Sequence, residues 1–172
     1  MSDITDVKYF SLKKLTKFVK EIENNPKAIK ELTNLVLGDD LTLSMRASWA
    51  LVHLSHLNSK LIYPLVPSLV KFLKKEKQHT GAIRNVLNLF REMDIPEKHI
   101  SELFDICLAY SKNAALPHAV RVFAMYTLAN ICKRYPELKS ELELIISELK
   151  THPQPPSINS CIRTVSKILG KL

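Results

Sequence analysis

Asp40-Leu41-Thr42-Leu43-Ser44-Met45-Arg46-Ala47-Ser48-Trp49-Ala50-Leu51 is the stretch on which the fold turns. It has an apolar–arginine pair, Met45-Arg46, a small residue in front of it, and an apolar residue five positions beyond the arginine. The same arrangement recurs at Ile83-Arg84, Val120-Arg121 and Ile162-Arg163. The preceding residues are Ser44, Ala82, Ala119 and Cys161, and the following ones are Leu51, Leu89, Tyr126 and Ile168. Successive arginines are 38, 37 and 42 residues apart. A period of this size marks stacked helical pairs, because one pair cannot bury its apolar stripe alone.

Working outward from residue 40, periodicity and punctuation give nine helices. The first spans about Val7 to Ile22, with Tyr9, Leu12, Leu15, Val19 and Ile22 at helical spacing and Lys13, Lys17 and Lys20 on the other side. Asn25 caps a second helix with Pro26 at its first position, and Gly38 ends it as a left-handed residue. Asp39 or Asp40 caps the third, which runs to about Leu57. Asn58 or Ser59 opens a segment to about Lys75, where Pro64 and Pro67 predict a kink or a late start. Helices from Thr80 to Met93, Pro96 to Ser111, Pro117 to Arg134 and Pro136 to Lys150 follow. A stiff His152-Pro153-Gln154-Pro155-Pro156 linker leads to a last helix capped by Ser157 or Asn159. The short linkers favour antiparallel neighbours.

An apolar–Arg pair in the second helix of a helical pair of about 40 residues resembles the HEAT repeat. Asp40-x5-Arg46 followed by Ala47 and Ala50-Leu51 resembles it most. The stretch Ser44–Leu51, and the run from Ala119-Val120-Arg121 through Tyr135-Pro136-Glu137-Leu138-Lys139, are similar to small bacterial HEAT-repeat proteins without established activity. The resemblance implies an all-α, right-handed α-solenoid. A single domain over 1–172 would hold a capping helix (1–25) and four repeats (26–57, 58–95, 96–134 and 135–172). It also implies that the second helices line a concave surface and that an Asp–Arg ladder ties repeats together. Only Asp40 supplies that aspartate; Gln78, Ala115 and Ser157 stand at the matching places. Glu92 and Asp105 are other acids the arginines can use.

Burial logic agrees. Leu41 to Leu57 and Leu116 to Cys132 are apolar nearly all round, as helices inside a stack should be. The first helix has its lysine rows, and the last keeps Ile162, Val165 and Leu169 inward with Arg163, Lys167 and Lys171 outward. Both ends therefore read as capped, which predicts a complete protein.

Composition fits the same class. Three glycines in 172 residues disfavour an all-β fold, and 46% hydrophobic with 24% charged residues argues against general disorder. Met1 to Lys8 is polar and does not read as a signal peptide. Apolar runs are interrupted before membrane-spanning length. Cys107, Cys132 and Cys161 are widely spaced, odd in number and set in apolar helical patterns, so buried free thiols are expected. Together these readings predict a cytoplasmic protein.

The net charge of +8 is unevenly placed. Residues 41–91 hold eight basic residues (Arg46, Lys60, Lys71, Lys74, Lys75, Lys77, Arg84 and Arg91) against one acid, Glu76. A local excess of this kind points to an anionic partner, or to a solvated lysine ridge. Arg46, Trp49, His53 and His56 share a narrow sector of the third helix. The matching sectors hold Arg84, Leu87 and Arg91, then Arg121, Ala124 and Leu128, then Arg163 and Ser166. Binding candidates are therefore Arg46, Trp49, His53, His56, Arg84, Arg91 and Arg121. The arginines read equally as structural pairs. Trp49, the only tryptophan, reads as an inter-helix core residue or a stacking anchor. The H-x-x-H pair lacks a third metal ligand, so no metal is assigned. No phosphate-binding glycine loop, H-E-x-x-H or G-x-S-x-G occurs, and no cofactor is implied. A noncatalytic scaffold binding a protein or acidic peptide on its concave face is the first reading. A nucleic-acid binder using residues 41–91 is the alternative. An alkylated-base DNA glycosylase is a remote third, since no acid beside Trp49 matches that pattern.

Overall fold

The structure is a computed structural model that describes residues 3–172; the first two residues of the polar Met1–Lys8 stretch lie outside the described residues. It is all-α, with nine α-helices, short 3-10 turns and no strand among the described residues. Two compact units divide the chain, one ending at Leu89 and one starting at Phe90.

The first unit opens with a 3-10 turn, Ile4–Tyr9, capped by the Asp3 carboxylate, which accepts from the Thr5 amide. Helix α1 (Leu12–Ile22) starts separately under a Ser11 cap. This break shifts the helical phase, so the expected apolar stripe holds at Leu15, Val19 and Ile22 but not at Tyr9 and Leu12. Tyr9 and Leu12 are exposed, while Val7, Leu15, Phe18, Val19 and Ile22 are buried. Helix α2 (Pro26–Leu37) begins as expected, with the Asn25 side chain accepting from Ala28 and Pro26 in the first turn. Its end corrects the expectation for Gly38, which has φ −67° and ψ 174°, an extended conformation open to any residue. The loose carbonyls there are taken instead by Lys75, whose ammonium donates to Leu37 and Gly38 and pairs with Asp39.

Helix α3 (Leu41–Leu57) is capped by Asp40, which accepts from the Leu43 amide, and packs against both α1 and α2. Ser44 and Ser48 are buried on it. Small side chains let neighbours come close: the Ser44 hydroxyl donates to the Val36 carbonyl at 2.7 Å. The Pro64–Pro67 region resolves as a late start. Two 3-10 turns, Ser59–Leu61 and Tyr63–Leu65, precede α4 (Val66–Leu73). Helix α5 (Thr80–Phe90) approaches α3 closely at Gly81, where an added Cβ would lie 2.9 Å from Met45 Cγ.

The second unit holds α6 (Ile100–Lys112), α7 (His118–Arg134), α8 (Lys139–Lys150) and α9 (Pro156–Leu169). Helix α7 is its centre, packed against α6, α8 and α9. It is apolar all round, with Val120, Ala124, Met125, Leu128, Ala129, Ile131 and Cys132 buried. The expected cap of α9 by Ser157 or Asn159 is not formed. Pro155 holds the cap position without a side-chain bond, and the Asn159 amide donates to the Gln154 carbonyl instead. Ile162, Val165 and Leu169 face inward and Arg163, Lys167 and Lys171 outward.

Within each unit, side chains bond to backbone carbonyls one period earlier in the chain. Asn85 donates to Met45, Asn130 to Phe90 and Met93, and Arg134 to Ile95. The sequence separations are 40, 40, 37 and 39 residues. These bonds do the tying expected of an Asp–Arg ladder. Asp40 does not reach Arg46; it is held by Lys8 at 2.6 Å.

Candidate functional site

In the first unit, helical spacing brings four of the expected residues into one contact row along α3. The Arg46 guanidinium lies 5.6 Å from the centroid of the Trp49 ring. Trp49 meets His53 edge-on at 5.2 Å, and His53 meets His56 at 5.9 Å. Trp49 is half-buried, neither the enclosed core residue that one reading expected nor a free surface ring. Arg46 Nε is buried with no hydrogen-bond partner among the described residues. An aromatic face therefore steadies this cation where a carboxylate was expected.

Arg84 joins the row from α5. Its Nη2 donates to Asn85 Oδ1 at 3.1 Å, and the Asn85 amide donates to Ser48 Oγ and the Met45 carbonyl. This chain of bonds ties Asn85 to α3 and holds the Arg84 guanidinium to Asn85. Burial pushes the His53 imidazole below its ordinary pKa, and the charge of His56 pushes the same way. No third ligand joins the two histidines in a metal-holding cluster among the described residues.

The other two candidates lie in the second unit. Arg121 is buried, and its Nε donates to the Ser111 carbonyl at 3.2 Å, which satisfies the C-terminal turn of α6. Arg91 is partly exposed. Its guanidinium stacks 5.4 Å from the Phe123 centroid and pairs with Glu92 at 2.9 Å. It borders a cleft of about 240 Å³ whose other walls are Glu92, Tyr126, Asn130, Lys133, Thr164 and Ile168. Burial raises the Tyr126 phenol above its ordinary value, while the Thr164 hydroxyl and the Arg91 charge pull it down. Tyr126 had read only as a repeat position, and Lys133 and Thr164 had given no signal. These three residues converge with Arg91 only through the packing of α7 on α9.

The three thiols are buried and free. Burial is the main cause that pushes Cys132 up to about 11 and Cys161 up to about 12, and it raises Cys107 further still. A thiol held protonated is a poor nucleophile. The ring contacts of Trp49 are Arg46 and His53. No helix among the described residues is long and apolar enough to cross a membrane.

Comparison with curated proteins and with solved structures returned no match. A family model described as a HEAT repeat domain matches residues 7–169. With nearly the whole chain matched, helices paired at the family's period and carbonyl bonds repeating at that period, the chain belongs to the HEAT repeat domain family.

Proposed function

We propose that this protein is a noncatalytic scaffold that holds an acidic segment of a protein partner on the α3 face of its first unit. The observation that carries the reading is the Arg46–Trp49–His53–His56 row, with Arg84 beside it. A half-buried tryptophan under the Arg46 guanidinium offers an apolar anchor and a carboxylate-binding fork, and Arg84 on α5 adds a second cation in the same unit, the mix that concentrates binding energy at peptide interfaces. In this reading the domain comprises a capping helix over 1–25 and repeats over 26–57, 58–95, 96–134 and 135–172. Free buried thiols suit the reducing cytoplasm.

Duplex nucleic acid is favoured less. Phosphate tracking needs several long exposed cations on one face. On α3 itself the only permanent cation is Arg46, and Lys75 is occupied by the end of α2. The remaining lysines of 41–91 lie on α4 and in the loops.

Trp49, as the only tryptophan, reports directly on the site. An Asp/Glu-rich peptide titrated at low salt should shift its emission, and Arg46→Gln with Arg84→Gln should remove the response while leaving the far-UV spectrum unchanged. Labelled duplex DNA is run in parallel at several salt concentrations. DNA binding with a log–log salt slope of about −0.9 per phosphate contact and no peptide response would replace this reading with the nucleic-acid one. Absence of both would leave the α3 row without an anionic ligand and end the proposal.

A further inference from the structure

We propose that the cleft beside Arg91 in the second unit is a receptor for a phosphate monoester group. Two cations of different kind line one place, the Arg91 guanidinium and the Lys133 ammonium, with the Tyr126 hydroxyl beside them; the Thr164 hydroxyl on the same wall donates to the Ser160 carbonyl at 3.1 Å. Arg91 is already oriented, since Phe123 lies under its guanidinium and Phe123 in turn meets Tyr126 edge-on at 6.4 Å. The Asn130 amide is committed to the Phe90 and Met93 carbonyls, which fixes the wall between Arg91 and Lys133. The cleft of about 240 Å³ has room for a phosphate and the first atoms of its ester.

Glu92 decides the class of anion. Its carboxylate occupies Arg91 at 2.9 Å while its own side chain stays largely in water. A ligand carboxylate would replace Glu92 with an equal group and gain nothing, because Glu92 is the next residue and always present. A phosphate diester has one charge and two free oxygens, too few to draw in Lys133 as well. A monoester dianion has three terminal oxygens and about twice the charge. It can displace Glu92, span Arg91 and Lys133, and leave an oxygen for the Tyr126 hydroxyl. The exposed Arg91–Glu92 pair is weak, as surface pairs are, so displacing it costs little. The site stands on the second unit alone and is independent of what the α3 face holds.

The test uses the full chain at pH 7.5 and backbone-resolved NMR titrations. The probes are inorganic phosphate, O-phosphoserine and a phosphoserine peptide, with acetate, dimethyl phosphate and the unphosphorylated peptide as controls. The monoester probes should shift Arg91, Tyr126, Lys133 and Thr164 together with a common Kd, and the controls should not. Tighter binding of the phosphopeptide than of inorganic phosphate assigns the group to a partner's modified side chain; equal binding assigns it to free phosphate. Arg91→Gln should weaken binding at least about tenfold, the scale of one charge-assisted pair. Glu92→Gln, which removes the internal competitor at an exposed position, should tighten it several-fold. If Arg91→Gln unfolds the chain, Glu92→Gln and Lys133→Gln at exposed positions still decide. Shifts spread over the exposed lysines instead, acetate binding as well as phosphate, or a Kd unmoved by Glu92→Gln would overturn the proposal.

Discussion

The Asn85 side chain donates to the Met45 carbonyl across 3.3 Å, from a residue 40 positions further along the chain. The same amide donates to Ser48 Oγ at 3.1 Å, and Asn85 is 4% exposed. A neutral amide thus ties α5 to α3 in a repeat where Gln78 stands in the place of the ladder aspartate. A neutral donor avoids the desolvation cost that makes buried charges expensive.

That bond gives the first prediction. Asn85→Ala removes the donor that the buried Ser48 hydroxyl accepts from, while the Met45 carbonyl keeps the Ser48 hydroxyl as donor, and should cost about 1–3 kcal/mol. Asn85→Asp should cost at least as much at neutral pH, because the carboxylate keeps the Arg84 contact but turns an acceptor toward Ser48 Oγ and the Met45 carbonyl where the amide donated. Urea unfolding of the two variants gives the order. An Asp variant as stable as the parent would show that this contact does not hold the helices together.

Trp49 supplies the second. Because it is half-buried, Trp49→Ala should cost about 1–2 kcal/mol, short of the roughly 3–5 kcal/mol of a fully enclosed tryptophan. Its emission should fall between that of a core tryptophan and that of one in water, and move red on unfolding. A loss in the upper range with strongly blue emission would place the ring in the core and remove it from the binding row.

The repeat was legible because it is written four times: a degenerate Met45-Arg46 gains meaning from Ile83-Arg84 and its successors. The row on α3 was legible because residues three and four apart on one helix must share a face. What failed was phase and convergence. Tyr9 and Leu12 fit a helical stripe only if the chain continues through Phe10, and it breaks there. The Arg91 cleft draws Tyr126 and Lys133 from α7 and Thr164 from α9, and no local pattern announces such a meeting. Gly38 was assigned a left-handed ending on statistics, yet Lys75, far along the chain, does the capping that made a special backbone unnecessary.

His53 gives a pH dependence whose sign follows from its depressed pKa. The folded state prefers the neutral ring, so its contribution is complete above the ordinary value of 6.5. As pH falls below that value the unfolded chain takes up the proton first, and stability declines until the folded ring also titrates. His53→Gln should therefore flatten the decline of the urea midpoint as pH falls below 6.5. An equal slope in parent and variant would assign that decline to other groups.

Two arginines at matching repeat positions should behave oppositely on substitution. Arg121 is 6% exposed and its Nε satisfies the Ser111 carbonyl at 3.2 Å. Arg163 is exposed on the outer side of α9. Arg121→Ala removes a charge-assisted bond, strips a donor from a buried carbonyl and opens space beside α6. Its cost should be about 2–4 kcal/mol. Arg121→Lys should recover only part of it, because an ammonium lacks the planar fork that reaches the carbonyl from a packed position. Arg163→Ala should stay within about 0.5 kcal/mol of the parent. Equal losses at the two sites would mean the repeat arginines share one structural role. A large loss at Arg121 alone means that the shared sequence position serves different ends in different repeats: holding the end of α6 at Arg121, and leaving Arg46 and Arg84 for the face of α3.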